Sequence, residues 1–480
     1  MKNGTATAVS DTICPDYAHP NNGTMSDRTF ARTRYPIFAA CLCLAVCACT
    51  SGTAAPTSDM TGPDLADRLC VNSHMPVDDC DASRARRVVE MDWLSDAGIR
   101  CVRLDFRWWR IEPAPEQFNF ADYDRVIDEL SARGVTTIAL VSAAPDWARP
   151  GGDSTIDPAI FGRLMRVLGQ HFAGRIQLWE LWNEPNWIFW EPEPDLHAYA
   201  RLAVSGATAL REVSASAIIL SAGMLSLADL LRGEAVWQSV DTTLTAAPAL
   251  AGLLNGIALH PYTWLQTWRP ERSEGPERPS IAEMFDAAAT VTANHHVGHL
   301  PLYDTETGWS THLVGETDKA RYLVRAALIA LASGAARFTA FNLSGADPAE
   351  SVPAAAETGY GLLRWDPDPL DSDIPAPEPA GIAFARLARL LQQCWLIHDS
   401  AWTWIPRGDG LFSVTCRSAD RLVRFLWTSE PERTVTVAVP TPSGFAPVSA
   451  TTLVSVTPAN VIARQALVGD DPLILEYRSR

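Results

Sequence analysis

Between about residue 64 and residue 400 the chain alternates short apolar runs with longer segments whose apolar positions recur at helical spacing. The short runs are Arg68–Asn72, Ile99–Phe106, Val135–Ser142, Arg175–Asn183, Ala217–Gly223, Gly256–His260, Leu300–Glu306 and Arg337–Asn342. Between them, Ser83–Ala97, Ala121–Arg133, Asp157–Phe172, Leu196–Val213, Ile281–His295 and Thr317–Ser333 carry the amphipathic period of a helix. Eight strands alternating with helices predict an α/β fold, a (β/α)8 TIM barrel over residues 64–399, with all strand C-termini on one rim. An open doubly wound sheet is the rival, but no glycine-rich phosphate loop follows the first strand. The Pro-rich stretch Asp366–Pro379 falls between the eighth strand and the last helix, on the rim side.

Helical periodicity stops near Ser400. Short β-rich runs take over at Trp402–Pro406, Leu411–Cys416, Leu422–Trp427, Thr434–Val439, Thr451–Val456, Val461–Ala466 and Leu473–Tyr477, separated by turn residues. Residues 400–480 are therefore expected to form an antiparallel β-sandwich that braces the barrel.

The N-terminal end reads as an address. Arg28, Arg32 and Arg34 precede an apolar stretch, Pro36 to Cys49, too short to span a bilayer comfortably. Val46-Cys47-Ala48-Cys49 resembles a lipoprotein cleavage box, with Cys49 the residue that would carry lipid. Cys47 departs from the small or β-branched residue usual at its position, so simple secretion stays open. Residues 1–24 do not look like a signal n-region, which makes Met25 an alternative start, and 50–63 reads as a linker. The expectation is an exported protein of the bacterial cell envelope or beyond.

Composition narrows the partners. Acidic residues outnumber basic ones by 56 to 39, a formal charge of −17, which argues against nucleic acid or an anionic membrane surface. Of the cysteines outside the N-terminal extension, Cys70 and Cys80 are close enough to close a short disulfide loop. Cys394 and Cys416 either pair between the domains or stay as buried thiols, and Cys101 is left as a small buried residue. No Cys/His spacing suggests zinc.

Two strings carry the chemistry, Trp-Asn-Glu-Pro-Asn at 182–186 and Tyr-Asp-Thr-Glu-Thr-Gly at 303–308. Each puts a glutamate, Glu184 or Glu306, at the end of a strand. In a barrel both reach one rim, where paired carboxyls can cleave a glycosidic bond. Glu180 has the parity of Glu184 but lies roughly 13 Å deeper, at about 3.3 Å per residue, and is expected to pair with Arg103. Asp304 is likewise a supporting position.

The chain resembles a retaining glycoside hydrolase of the superfamily with catalytic glutamates on barrel strands four and seven, family 39 most closely. Besides the two strings, the resemblance rests on Val102-Arg103-Leu104-Asp105-Phe106-Arg107-Trp108 with Ile111-Glu112-Pro113, on Ala144-Pro145-Asp146-Trp147-Ala148, and on His260-Pro261-Tyr262. It implies that Glu184 is the acid/base and Glu306 the nucleophile. It further implies that Asn183 binds the sugar 2-hydroxyl, that Arg103 and Tyr262 hold Glu306, and that His260 joins the same cluster. No metal or organic cofactor is implied. One departure is Phe341, where many superfamily members have tryptophan at the end of strand eight; Trp309 is the candidate replacement for that aromatic face.

The chain holds 17 tryptophans, and several fall in rim loops: Trp108, Trp109, Trp147, Trp187, Trp190, Trp264, Trp268 and Trp309. Flat rings stack on sugar faces, and Trp187 and Trp190 just past Glu184 are the expected leaving-group contacts. The reading is an exported, retaining β-glycoside hydrolase, endo-acting on an exopolysaccharide. An exo-β-xylosidase and a catalytically silent sugar-binding lipoprotein are the alternatives.

Overall fold

A computed structural model describes residues 64–149, 155–226, 235–263, 266–275, 278–345, 359–364, 376–397, 410–430, 433–459, 461–462 and 464–480. The expected signal segment with Cys49, the linker 50–63, Trp264, the run Trp402–Pro406 and most of the Pro-rich stretch lie outside these residues.

Among the described residues, eight parallel strands alternate with helices. They are β1 (Leu69–Ser73), β2 (Cys101–Arg107), β3 (Thr136–Ser142), β4 (Leu178–Leu181), a fifth strand β5 in two pieces (Ile218–Leu220 and Met224–Leu225), β6 (Ile257–His260), β7 (Leu302–Thr307) and β8 (Phe338–Ala340). The helix after each strand is, in order, α1 (Asp81–Ala97), α2 (Ala121–Ala132), α3 (Pro158–His171), α4 (Leu196–Val213), α5 (Val236–Ala246), α6 (Ile281–Asn294), α7 (Glu316–Ala332) and α8 (Pro379–Leu391). Neighbouring strands pair in parallel, β1 pairs with β8, and a bridge between Leu220 and Gly256 joins the fifth strand to the sixth. The ladder closes, and the expected TIM barrel is found.

Local chemistry sets the boundaries. Asp157 caps α3 by accepting from the Ala159 N–H, with Pro158 in the first turn, and Ser280 and Glu283 form a capping box on α6. α1 ends at Gly98, whose left-handed backbone (φ 76°) returns its N–H to Leu94 and Ser95. The barrel floor is apolar, built from Ile138, Leu178, Leu220, Ala258 and Tyr303 around a disulfide between Cys70 and Cys101.

That disulfide corrects the expected Cys70–Cys80 loop. Val71 lies opposite Val102, so Cys70 and Cys101 stand side by side on adjacent parallel strands, with Cα atoms 4.5 Å apart. Short sequence separation favoured Cys80, but strand register decided the pairing. Cys80 instead occupies the N-cap of α1.

The C-terminal domain holds two antiparallel sheets. The strands are β9 (Trp395–Leu396), β10 (Leu411–Arg417), β11 (Arg421–Thr428), β12 (Val435–Ala438), β13 (Phe445–Thr452), β14 (Val461–Ile462), β15 (Gln465–Val468) and β16 (Leu473–Ser479). One sheet runs β9-β10-β11-β16-β13 and the other β12-β15-β14, consistent with the expected sandwich. Its first strand lies ahead of Ser400, and Cys394 is bonded to Cys416 across the junction. Two runs sit differently from expectation. Phe445–Thr452, an edge strand that tolerates Pro447 beside a bulge, replaces Thr451–Val456. Val461–Ala466 is a hairpin, because Arg464 adopts a left-handed backbone (φ 63°) and reverses the chain.

Candidate active site

At the C-terminal rim, the backbone after β4 takes two left-handed residues, Trp182 (φ 86°) and Glu184 (φ 41°). Positive φ is costly for side chains of this size, so packing must hold the turn. The Glu184 N–H donates to the Gly223 carbonyl at 3.1 Å, locking the turn to the broken fifth strand.

β7 reaches the same place by a different device. Tyr303 faces the barrel floor and the Thr305 hydroxyl donates inward to Glu180, so strict alternation would turn Glu306 away from the barrel axis. Asp304 lies opposite Phe338 while Thr307 lies opposite Ala340, which leaves one extra residue in β7. This β-bulge re-aims Glu306 into the site. Asp304 packs on the far side of the bulge and accepts from the Thr307 hydroxyl at 3.1 Å. Burial pushes its carboxyl well above the usual range, against those hydrogen bonds.

Arg103, on β2 and 2 % exposed, organises the centre. Its Nε and Nη2 donate to the two oxygens of Glu180 at 2.7 and 3.0 Å, a bidentate pair. Nη1 donates to Glu306 Oε2 at 2.9 Å and to Asn72 Oδ1 at 3.0 Å, and Nη2 also reaches Asn183 Oδ1 at 2.8 Å. Burial opposes the charge, but Glu180 and Glu306 outweigh it and hold the guanidinium protonated. Glu180 is thus the buried partner of Arg103, as its depth on β4 requires.

The second oxygen of Glu306 accepts from the Tyr262 hydroxyl at 2.9 Å. Burial, then the charge of Glu306, pushes that phenol well above its usual range, so it remains a donor. His260 Nδ1 lies 2.7 Å from Glu184 Oε1. Burial first, then the Arg103 charge, pushes His260 well below the ordinary imidazole range, which makes it neutral. Its Nε2 faces the Nη2 donor of Arg103 at 3.4 Å and so acts as the acceptor; Nδ1 then carries the proton and donates to Glu184.

One carboxylate oxygen from each glutamate and a ring nitrogen of His260 lie within 4.8 Å of one another. Three such atoms could span a cation, but Nδ1 is committed to Glu184 and the Arg103 charge already sits on Glu306. The arrangement suits two carboxyls working as a pair.

The aromatic expectations divide. Trp187 is half-buried against Leu225, Tyr262, Phe341 and Tyr360 at the mouth. Trp147 is half-buried, edge-on to Trp108, with its indole donating to the Glu112 carbonyl. Trp190 is 4 % exposed, packed between Trp182 and Tyr199, and Trp309 is 1 % exposed, with its indole donating to the Trp268 carbonyl. Neither offers a face to a ligand. The Phe341 ring stands at the mouth instead, flanked by His74 and Tyr360. Asp105, His74, Tyr360 and Gly223 were not singled out as site residues from sequence. Asp105 was legible from its alternation with Arg103 on β2, whereas Tyr360 comes from a loop with no local signal.

A family model described as Glyco_hydro_42, beta-galactosidase, matches residues 83–151. No curated protein matches. Among solved structures, the chain is similar to a family 39 glycoside hydrolase from Bacteroides cellulosilyticus WH2, with 19% identity, a TM-score of 0.65, and coverage of 87% of this chain and 81% of that one. It is also similar to the GH39 enzyme of Xanthomonas axonopodis pv. citri, at 14% identity, TM-score 0.59, covering 87% and 95%. A monomeric beta-xylosidase from Caulobacter crescentus CB15 matches at 15% identity and TM-score 0.59, covering 87% and 97%. The chain shares the fold of these three solved structures, two of them family 39 glycoside hydrolases.

Proposed function

We propose that the protein is a glycosidase that hydrolyses β-glycosidic bonds with retention of anomeric configuration. The observation that carries this is the approach of the Glu184 and Glu306 oxygens within 4.8 Å, with Arg103 and Tyr262 on Glu306 and neutral His260 on Glu184. Glu306, its charge balanced by Arg103, attacks the anomeric carbon while Glu184 gives its proton to the departing oxygen. Because Glu184 Oε1 accepts from His260, the transferable proton belongs on Oε2. Glu184, now a carboxylate, removes a proton from water, which displaces Glu306 and regenerates both groups. Asn183, tied to Arg103, is the proposed partner of the sugar 2-hydroxyl. No step calls on a metal or organic cofactor.

The proposed setting is the cell envelope or beyond, on the strength of the signal-like segment Arg28 to Pro56 and its resemblance to a lipoprotein box ending at Cys49. An endo-acting role on an exopolysaccharide suits that setting, and Trp187 with exposed Ile188 and Phe189 beyond Glu184 offers apolar surface for leaving-group sugars. The likeness to a solved beta-xylosidase favours exo action on short glycosides as the second reading.

The test is labelling by an activated fluoro-sugar followed by peptide mapping. A glycosyl adduct on Glu306, absent in Glu306→Gln, supports the mechanism. No adduct and no turnover across a panel of β-linked substrates leaves a binding protein. Oligosaccharide products favour endo action and monosaccharides exo action.

A further inference from the structure

Lys319 is a cation in the wrong place for an ordinary surface lysine. It sits on α7, outside the barrel, yet is 2 % exposed. Its ammonium donates to the carbonyls of Gly359 and Gly361 at 2.7 and 2.6 Å. The residue between those carbonyls is Tyr360. Both glycines are pinned by space as well as by hydrogen bonds. A Cβ on Gly359 (φ 91°) would stand 2.6 Å from Thr311 Oγ1, and one on Gly361 would stand 2.5 Å from the Leu363 carbonyl. The Leu362 N–H donates to the Asn342 carbonyl at 2.9 Å, fastening the segment to the end of β8.

Tyr360 in turn meets the site. Its ring packs edge-on to Phe341, with centroids 5.2 Å apart, in a cluster that includes Tyr262, the hydroxyl donor to Glu306. A continuous series of contacts therefore runs from an outer helix to the carboxylate pair.

We propose that Lys319 is a positioning residue whose ammonium sets the Gly359–Gly361 segment so that Tyr360 backs Phe341 and Tyr262 as the wall behind the reacting sugar. This rests on the glycosidase reading of the same site. Burial pushes the Lys319 amine down to about 7, with Glu378 and Glu316 pulling the other way. Arg364 lies between those two carboxylates, donating to Glu378 at 2.7 Å and Glu316 at 3.3 Å. The clamp accordingly loosens as pH rises past neutrality.

The experiment measures kcat and KM on the nitrophenyl β-glycoside that the wild type turns over best, with folded enzyme counted by fluoro-sugar labelling. Lys319→Met and Tyr360→Ala each raise KM about tenfold with a smaller change in kcat. The double variant is no worse than Tyr360→Ala alone, because one acts through the other. Lys319→Arg keeps the charge at every pH tested and abolishes the rise in KM expected of the wild type above neutrality. Should Lys319→Met not fold, the Tyr360→Ala and Lys319→Arg results decide. Unchanged KM per labelled site, or additive effects in the double variant, overturns the proposal alone. A wild type that is neither labelled nor active sinks the glycosidase reading and this proposal with it.

Discussion

Arg103 Nη1 lies 2.9 Å from Glu306 Oε2, with both side chains largely out of solvent, while the other edge of the same guanidinium closes on Glu180. One cation thus neutralises two carboxylates, one at the rim beside Glu184 and one beneath it. Removing it strands both. Arg103→Met is expected to lose on the order of 3–5 kcal/mol of stability, the range for breaking a buried pair from one side. Urea unfolding reads this directly, and a loss below 1 kcal/mol would show that the network is not what holds the carboxylates.

Replacing Glu306 and Glu184 separates their roles. Glu306→Gln should lower kcat by several orders of magnitude on every substrate. Glu184→Ala should spare substrates with good leaving groups at the first step and cost about 10²–10⁴-fold on poor ones. Azide should rescue Glu184→Ala and form a β-glycosyl azide. Equal losses on good and poor leaving groups would remove Glu184 from the acid role.

His260 gives a pH signature. Its Nδ1–H donates to Glu184, which favours the carboxylate over the acid form. Deleting the donor in His260→Phe should therefore raise the Glu184 pKa and move the alkaline limb of kcat/KM to higher pH. A limb that stays in place or moves down contradicts the assigned tautomer.

Gly223 should be as sensitive as a side chain in direct contact with substrate. A Cβ there would fall 2.0 Å from His260 Nε2, and the Gly223 N–H and carbonyl serve Glu180 and Glu184. Gly223→Ala is expected to cost activity at least as severely as His260→Phe while the far-ultraviolet circular dichroism stays native. Wild-type kinetics in that variant would refute the contact.

Asp105 ties stability to acid pH. Burial opposes its charge, but the His74 hydrogen bond at 3.0 Å, with Arg107 and Arg103, holds it down to about 2. A depressed carboxylate stabilises the fold above its unfolded pKa near 3.8, and that gain is lost as pH falls through about 2. The gain is on the order of 2 kcal/mol. His74→Ala should therefore be less stable than the wild type at pH 7, with the gap closing below pH 4. A gap independent of pH would assign the loss to packing.

The barrel was legible because the strands and most of the helices carried their own period, and Leu196–Val213 was bounded correctly at both ends. The glutamates were legible because strand ends share a rim. What escaped was set by interactions between segments. The β7 bulge depends on the register against β8, and the Cys70–Cys101 bond on the register between β1 and β2. Likewise, nothing in the local sequence of Trp190 or Trp309 distinguishes an indole spent on packing from one open to a sugar. Helix α5 went unremarked because a run such as Val236–Ala246 carries Thr and Ser on its buried face.

Glu271 lies on the stretch of chain that leaves Tyr262 and enters α6, and its side chain is fully buried. It receives Arg325 of α7 at 2.9 Å and the indole of Trp427, on β11 of the C-terminal sheet, at 2.7 Å. A single carboxylate therefore moors a rim loop, an outer helix and the second domain at one point. Amputating the sandwich would leave Glu271 and Arg325 facing water on one side, and the slack would reach the phenol that steadies Glu306. The trailing domain is better regarded as the far abutment of the rim loop that follows Tyr262 than as a passenger.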